Sequence, residues 1–246
     1  MWRPGAQWRR NTDRSSKEPL INSVFFLAST WVIPALLAIT LHEAAHGYIA
    51  KRLGDDTAWQ LGRVTFNPLK HIDPFGTIAL PTILLLTHAP FLFGYAKPVP
   101  VRFGRLRNPR RDMVWVAAAG PAMNLLMATV AAVLLHTVGF LPPVAAQWVL
   151  DNLVHAIELN VLLAVFNLIP LPPLDGGRVA VGLLPNALAA PLARLERYGM
   201  AIVIGVFLIL PVVAVRMGTH FDVFTQIIGR PTDAVIKAIL FLTGTH

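Results

Sequence analysis

Two histidines and a glutamate interrupt an otherwise apolar run at TLHEAAHGYIA, residues 40–50. On a helix, His42 and His46 stand four positions apart and project from one face, so both imidazoles can reach a single metal ion. Glu43 follows about 100° round the 3.6-residue wheel, placed to take a proton from a water at the metal without being a ligand. That pattern predicts zinc-assisted hydrolysis of a carbonyl compound. The other reading of the pair is two helix histidines hydrogen-bonded to neighbours. It leaves unexplained why Glu43 stands among Leu, Ile, Ala and Val, where an ionisable group is costly and functional by default.

A catalytic zinc normally takes three protein ligands, and the chain has no cysteine, so the third must be nitrogen or oxygen. The extended soluble-protease motif with a further histidine is absent, since position 52 is Arg52. Asp175 is the candidate. It lies in NLIPLPPLDGGR, where Pro170, Pro172 and Pro173 stop a helix inside an apolar run and Gly176 and Gly177 permit an unusual backbone path. Broken backbone at membrane depth is tolerated where it lines a site. The alternative is a Pro-Gly turn at a membrane surface with Asp175 solvated.

The elements that must position these groups are membrane helices. Of the 246 residues 55% are hydrophobic and 14% charged, against about 25% charged in a soluble domain. The mean hydropathy is +0.58. The net charge of +8 falls in short clusters flanking apolar runs, a cytoplasmic-loop pattern that argues against nucleic acid as a partner. The expected fold is all-α and polytopic, with about four to six membrane segments. A basic N-terminal arm (1–19) precedes a core (20–178) and C-terminal membrane helices (179–246). Within these, 20–52 reads as one long helix, 113–140 and 152–169 as spans joined by a short connection at 141–151, and 199–217 as another span. The C-terminal stretch 233–242 reads as a helix that is amphipathic or partly buried.

The loops 51–75 and 97–112 are both basic and 141–151 has no Lys or Arg, which places the first two in the cytoplasm and the third outside. The apolar segment 76–96, carrying Pro81 and Pro90, is then expected to enter the membrane and return. With 76–96 re-entrant, two crossings separate His46 from Asp175 and bring them to one depth. The N-terminal arm, with Arg3, Arg9, Arg10, Arg14 and Lys17, also asks to be cytoplasmic, which a single crossing by 20–52 forbids; its orientation stays open.

At these residues the chain resembles the site-2 protease family of intramembrane zinc metalloproteases, in its compact bacterial branch without a PDZ domain. HEAAHG (42–47), LGRVTFNPLKHIDPFGT (61–77), GYAKPVPV (94–101), NPRRD (108–112), AGPAMN (119–124) and NLIPLPPLDGGR (167–178) carry the likeness, with Tyr95 where the family often has Trp. The resemblance implies one zinc ion held by His42, His46 and Asp175, with Glu43 as catalytic base. It implies Asn167, eight residues before the aspartate, as a group that positions substrate or stabilises the oxyanion. It implies a transmembrane helix of another membrane protein as substrate, cut in or beside the bilayer, in the cell (inner) membrane of a bacterium. The competing function is a non-catalytic zinc-binding membrane protein or transporter, which would not require Glu43. His71 and Asp73 read as loop structure, Asn124 as an interhelical hydrogen bond, and Glu158 has no role.

Overall fold

In the computed structural model, residues 20–71, 73–79, 82, 83, 86, 97–216 and 223–245 are described. All the regular structure among them is helical, as expected. The helices are α1 (Leu20–Arg52), α2 (Thr57–Gln60), α3 (Pro109–Leu134), α4 (Pro143–Asn167), α5 (Asp175–Leu183), α6 (Asn186–Arg194), α7 (Glu196–Ile204), α8 (Leu210–Arg216) and α9 (Arg230–Thr243). Among the described residues, three stretches are long and apolar enough to cross a membrane: Ala28–Arg52, Pro109–Phe140 and Pro143–Asn167.

These three pack against one another as a bundle, and their exposure pattern is that of a lipid-facing protein. On α3 most of the buried residues are small or polar, Ala117, Gly120, Asn124, Ala128, Ala131 and Ala132 among them, beside Val116 and Pro121. The exposed large apolar side chains are Trp115, Leu126, Val130, Val133 and Leu134. Helices in lipid gain little by hiding Leu from hydrocarbon and much by close backbone approach, so small residues mark the contacts. Below the site, Ala128, Ala131 and Ala132 meet Ile157 and Val161 of α4 and Ile239 of α9 in one apolar cluster.

Several boundaries differ from expectation. α4 starts at Pro143, not after a connection ending at 151, so only residues 141–142 separate it from the tightly wound extension Leu135–Phe140 of α3. Proline suits the first helical position because its missing N–H would have no partner there. The polar residues that suggested a loop bond within the helix: Gln147 Nε2 donates to Asp151 Oδ1 at 2.8 Å and Asn152 Nδ2 to Trp148 O at 2.8 Å. The expected span at 199–217 is α7, a wider turn at Gly205–Ile209, and α8. The amphipathic C-terminal helix is present as α9. The basic arm 1–19 lies outside the described residues.

The two basic loops meet at one end of the bundle. Arg107 N donates to Leu53 O at 3.0 Å, and Arg102 N donates to Asp55 Oδ2 at 2.6 Å. Lys97 N donates to His71 O at 2.9 Å, so residues 71 and 97 lie side by side at this end. Most of the expected re-entrant segment 76–96 lies outside the described residues; its first turn is a wide helical turn at Pro74–Ala79. Asp73 begins that turn, its Oδ1 accepting from Phe75 N at 3.0 Å and Gly76 N at 2.7 Å. His71 is buried, with Nε2 3.3 Å from Thr65 O. Both residues are thus loop structure, as read from the sequence.

Candidate metal centre

His42 and His46 share a face of α1, and Asp175 opens α5. The LIPLPP break carries the chain from the end of α4 to this point while satisfying its own backbone. Leu171 N donates to Ile169 O at 2.7 Å, Leu174 N to Leu171 O at 3.0 Å, and Gly177 N to Leu174 O at 3.0 Å. α3 and α4 lie between the two motifs in the chain, and their antiparallel path returns Asp175 to the histidines.

Asp175 Oδ2 lies 3.2 Å from His42 Nε2 and 3.3 Å from His46 Nε2, and the two Nε2 atoms are 3.0 Å apart. All three residues are buried, and together they form a group that could hold a metal ion. A tetrahedral zinc with bonds of about 2.0–2.1 Å requires its ligand atoms to be roughly 3.3 Å apart. The observed triangle matches that edge length.

The proton positions strengthen the fit. His42 Nδ1 is 2.6 Å from Asn124 Oδ1, and His46 Nδ1 is 2.7 Å from Val116 O. Both partners are acceptors, so each Nδ1 carries a hydrogen, and a ring in its neutral form then presents an Nε2 lone pair to the triangle. Asp175 Oδ2 is buried without a hydrogen-bond donor. Three lone pairs facing one another at about 3 Å repel unless a cation lies among them. Space is kept for one by Gly120 of α3: a Cβ there would lie 2.6 Å from His42 Nε2 and closer still to His46 Nε2. The donor set and its surroundings therefore fit a zinc ion.

Glu43 is half-buried on the next turn position of α1, and its Oε2 accepts a hydrogen bond of 2.7 Å from Val99 N in the second basic loop. Pro98 and Pro100 flank that residue and have no N–H, so Val99 supplies the one backbone donor of residues 98–100. Asn167, the last residue of α4, donates from Nδ2 to Leu163 O at 3.0 Å. The structure brings His42, His46 and Asp175 together; it gives Asn167 no hydrogen bond to that group.

Comparison with known proteins decides the family. The chain is 41% identical over 180 residues to "Putative zinc metalloprotease YwhC" of Bacillus subtilis, covering 72% of this chain and 78% of that protein. The chain belongs to the site-2 protease family. The profile of Peptidase family M50 matches residues 142–212, the stretch that holds Asp175. "Putative zinc metalloprotease Rip2" of Mycolicibacterium smegmatis is 33% identical over 178 residues, covering 72% of this chain and 65% of that protein. Its counterpart of the same name in Mycobacterium tuberculosis is 30% identical over 141 residues, 57% of this chain and 52% of that one. No solved structure matches the chain. This site-2 protease is thus a zinc metalloprotease, and its helices make it a membrane protein.

Asn124, Gly120 and Val116 are the contacts the sequence reading missed. Asn124 does make the interhelical bond expected of it, donating to Asn160 Oδ1 at 2.8 Å and Ala38 O at 3.2 Å. Its third partner, His42, follows from where α3 crosses α1. The signal was AGPAMN itself, which packs a glycine and an amide four residues apart on one helix face. Two further histidines among the described residues bond to backbone away from the triangle: His155 Nδ1 is 2.8 Å from Thr30 O with its ring stacked on Trp31, and His136 Nε2 is 2.8 Å from Thr243 O. Glu158 is exposed on α4.

Proposed function

We propose that this protein hydrolyses peptide bonds of transmembrane-helix substrates within or at the edge of the bilayer, as a multi-pass protein of the cell (inner) membrane. The observation that carries this reading is the triangle of His42 Nε2, His46 Nε2 and Asp175 Oδ2 inside a bundle of helices long enough to span. In it, His42, His46 and Asp175 hold the zinc. When bound, the ion polarises the scissile carbonyl and makes water acidic enough to attack near neutral pH.

Glu43 takes the proton of the attacking water and passes it to the leaving amine. The Val99 N–H fixes one of its oxygens, so the carboxylate is oriented before substrate arrives. Asn167 has a second amide N–H beyond the one given to Leu163, and this is the group assigned to hold the substrate or its oxyanion. The substrate helix must be unwound locally, because an intact helix presents no free carbonyl. The basic loops at the Arg52 end of the bundle favour a cytoplasmic placement of that end, from which water reaches the site.

The test is cleavage of a model transmembrane peptide by purified wild type, Glu43→Gln and Asp175→Ala, with zinc measured in each. Glu43→Gln should keep its zinc and lose about 10²–10⁴-fold in rate. Asp175→Ala should lose both. Equal zinc and no cleavage by wild type and Glu43→Gln alike would instead identify a carrier or scaffold.

A further inference from the structure

We infer that Asn124 is the positioning residue for His42 and that Asn160 holds Asn124 in turn. A polar chain through three helices thereby sets the zinc affinity, given the reading above that His42, His46 and Asp175 are the ligands.

Both asparagines are completely buried in the bundle. Asn124 Oδ1 accepts from His42 Nδ1 at 2.6 Å. Its amide hydrogens go to Ala38 O, one helical turn before His42 on α1, at 3.2 Å, and to Asn160 Oδ1 on α4 at 2.8 Å. Asn160 Nδ2 donates to Ala156 O of its own helix at 2.8 Å, which leaves its oxygen turned toward Asn124.

This set of partners permits one orientation of the Asn124 amide. Rotating it by 180° would put its oxygen against two acceptors, Ala38 O and Asn160 Oδ1, with no donor to satisfy it. Because the oxygen is fixed toward His42, the imidazole hydrogen is fixed on Nδ1, and the Nε2 lone pair is fixed toward Asp175. Asn124 also grips α1 at Ala38, so the ring is constrained in both rotation and height. Removing such a support ordinarily weakens metal binding by about 10–100-fold. An interhelical amide that served packing alone would need neither the contact to His42 nor the second amide to orient it.

The experiment uses the full chain in detergent micelles, stripped of metal and titrated with zinc against a chromophoric chelator, then with cobalt(II) for its visible spectrum. Asn124→Ala should weaken zinc by about 10–100-fold and alter the cobalt bands. Asn124→Asp keeps an acceptor for His42 but sets its second oxygen against Ala38 O and Asn160 Oδ1, so it should recover part of the lost affinity and not all of it. A packing role predicts the reverse order, with aspartate worse than alanine. Asn160→Ala leaves both atoms of the His42 contact in place and should shift affinity the same way by less. Wild-type affinity in Asn124→Ala, or aspartate weaker than alanine, would overturn the inference. Should Asn124→Ala not fold, an unchanged affinity and cobalt spectrum in Asn160→Ala would do so. His46→Ala is the separate control: if it binds zinc as wild type does, the ligand assignment fails first and this inference with it.

Discussion

The α1–α3–α4 bundle contains two neighbouring layers built on opposite principles. At the level of Gly120 and Asn124 the helices meet through hydrogen bonds that each have one solution: His42 to Asn124, His46 to Val116, Asn124 to Asn160. One turn further along α3, Ala128, Ala131 and Ala132 meet Ile157, Val161 and Ile239 in an apolar cluster. Both layers use small residues to bring backbones close. Only the first uses the space to aim atoms. The difference teaches that close packing and ligand geometry are separable here, and substitutions in the two layers should fail in different ways.

The largest effect is expected at Gly120. Gly120→Ala places a methyl against both imidazoles, and an overpacking cost of about 1–3 kcal/mol falling on the metal site is roughly a 5- to 150-fold loss of zinc affinity. Chelator competition measures it; wild-type affinity would erase the distinction between the layers. Next comes Asp55, in the first basic loop at the end of the bundle. It is buried, which opposes its charge, but Thr57 Oγ1, Arg102 N and Thr57 N donate to it and Arg105 lies near, and together these hold its carboxyl below the usual range. Asp55→Ala should cost about 1.5–3 kcal/mol in stability. Because the folded-state pKa is the lower one, the wild-type contribution is complete above the ordinary aspartate value of about 3.9 and fades as pH falls below it. The alanine variant should therefore show a smaller drop in unfolding temperature on acidification. The smallest effect on the site belongs to Ala132→Leu, which overpacks the apolar layer and should cost about 1–3 kcal/mol while leaving zinc affinity unchanged. A parallel fall in zinc affinity would show the layers to be coupled.

Local periodicity made the first two candidate ligands legible. His42 and His46 need only a helix, and a helix in that apolar run was certain to form. Asp175 was legible from a conflict, since three prolines and two glycines stand where lipid demands a helix, and from the parity of the crossings between. Asn167 was named from resemblance, and its observed bond to Leu163 is the ordinary one for an amide near a helix end. The roles of Asn124, Gly120 and Val116 were not legible, because they depend on the depth and rotation at which α3 passes α1. Many pairings of an apolar helix with another satisfy hydropathy equally well, and only the packed structure selects one. The start of α4 was misjudged for a local reason: Gln147, Asp151 and Asn152 look like loop residues but spend their polarity within one helix.

Gly199, on α7, is buried against the carbonyl of Pro172, and a side chain there would collide with the proline backbone. At this point α7 rests directly on the bend that leads to Asp175. The bend before Asp175 and α7 therefore meet backbone to backbone, with no side chain between them to give way.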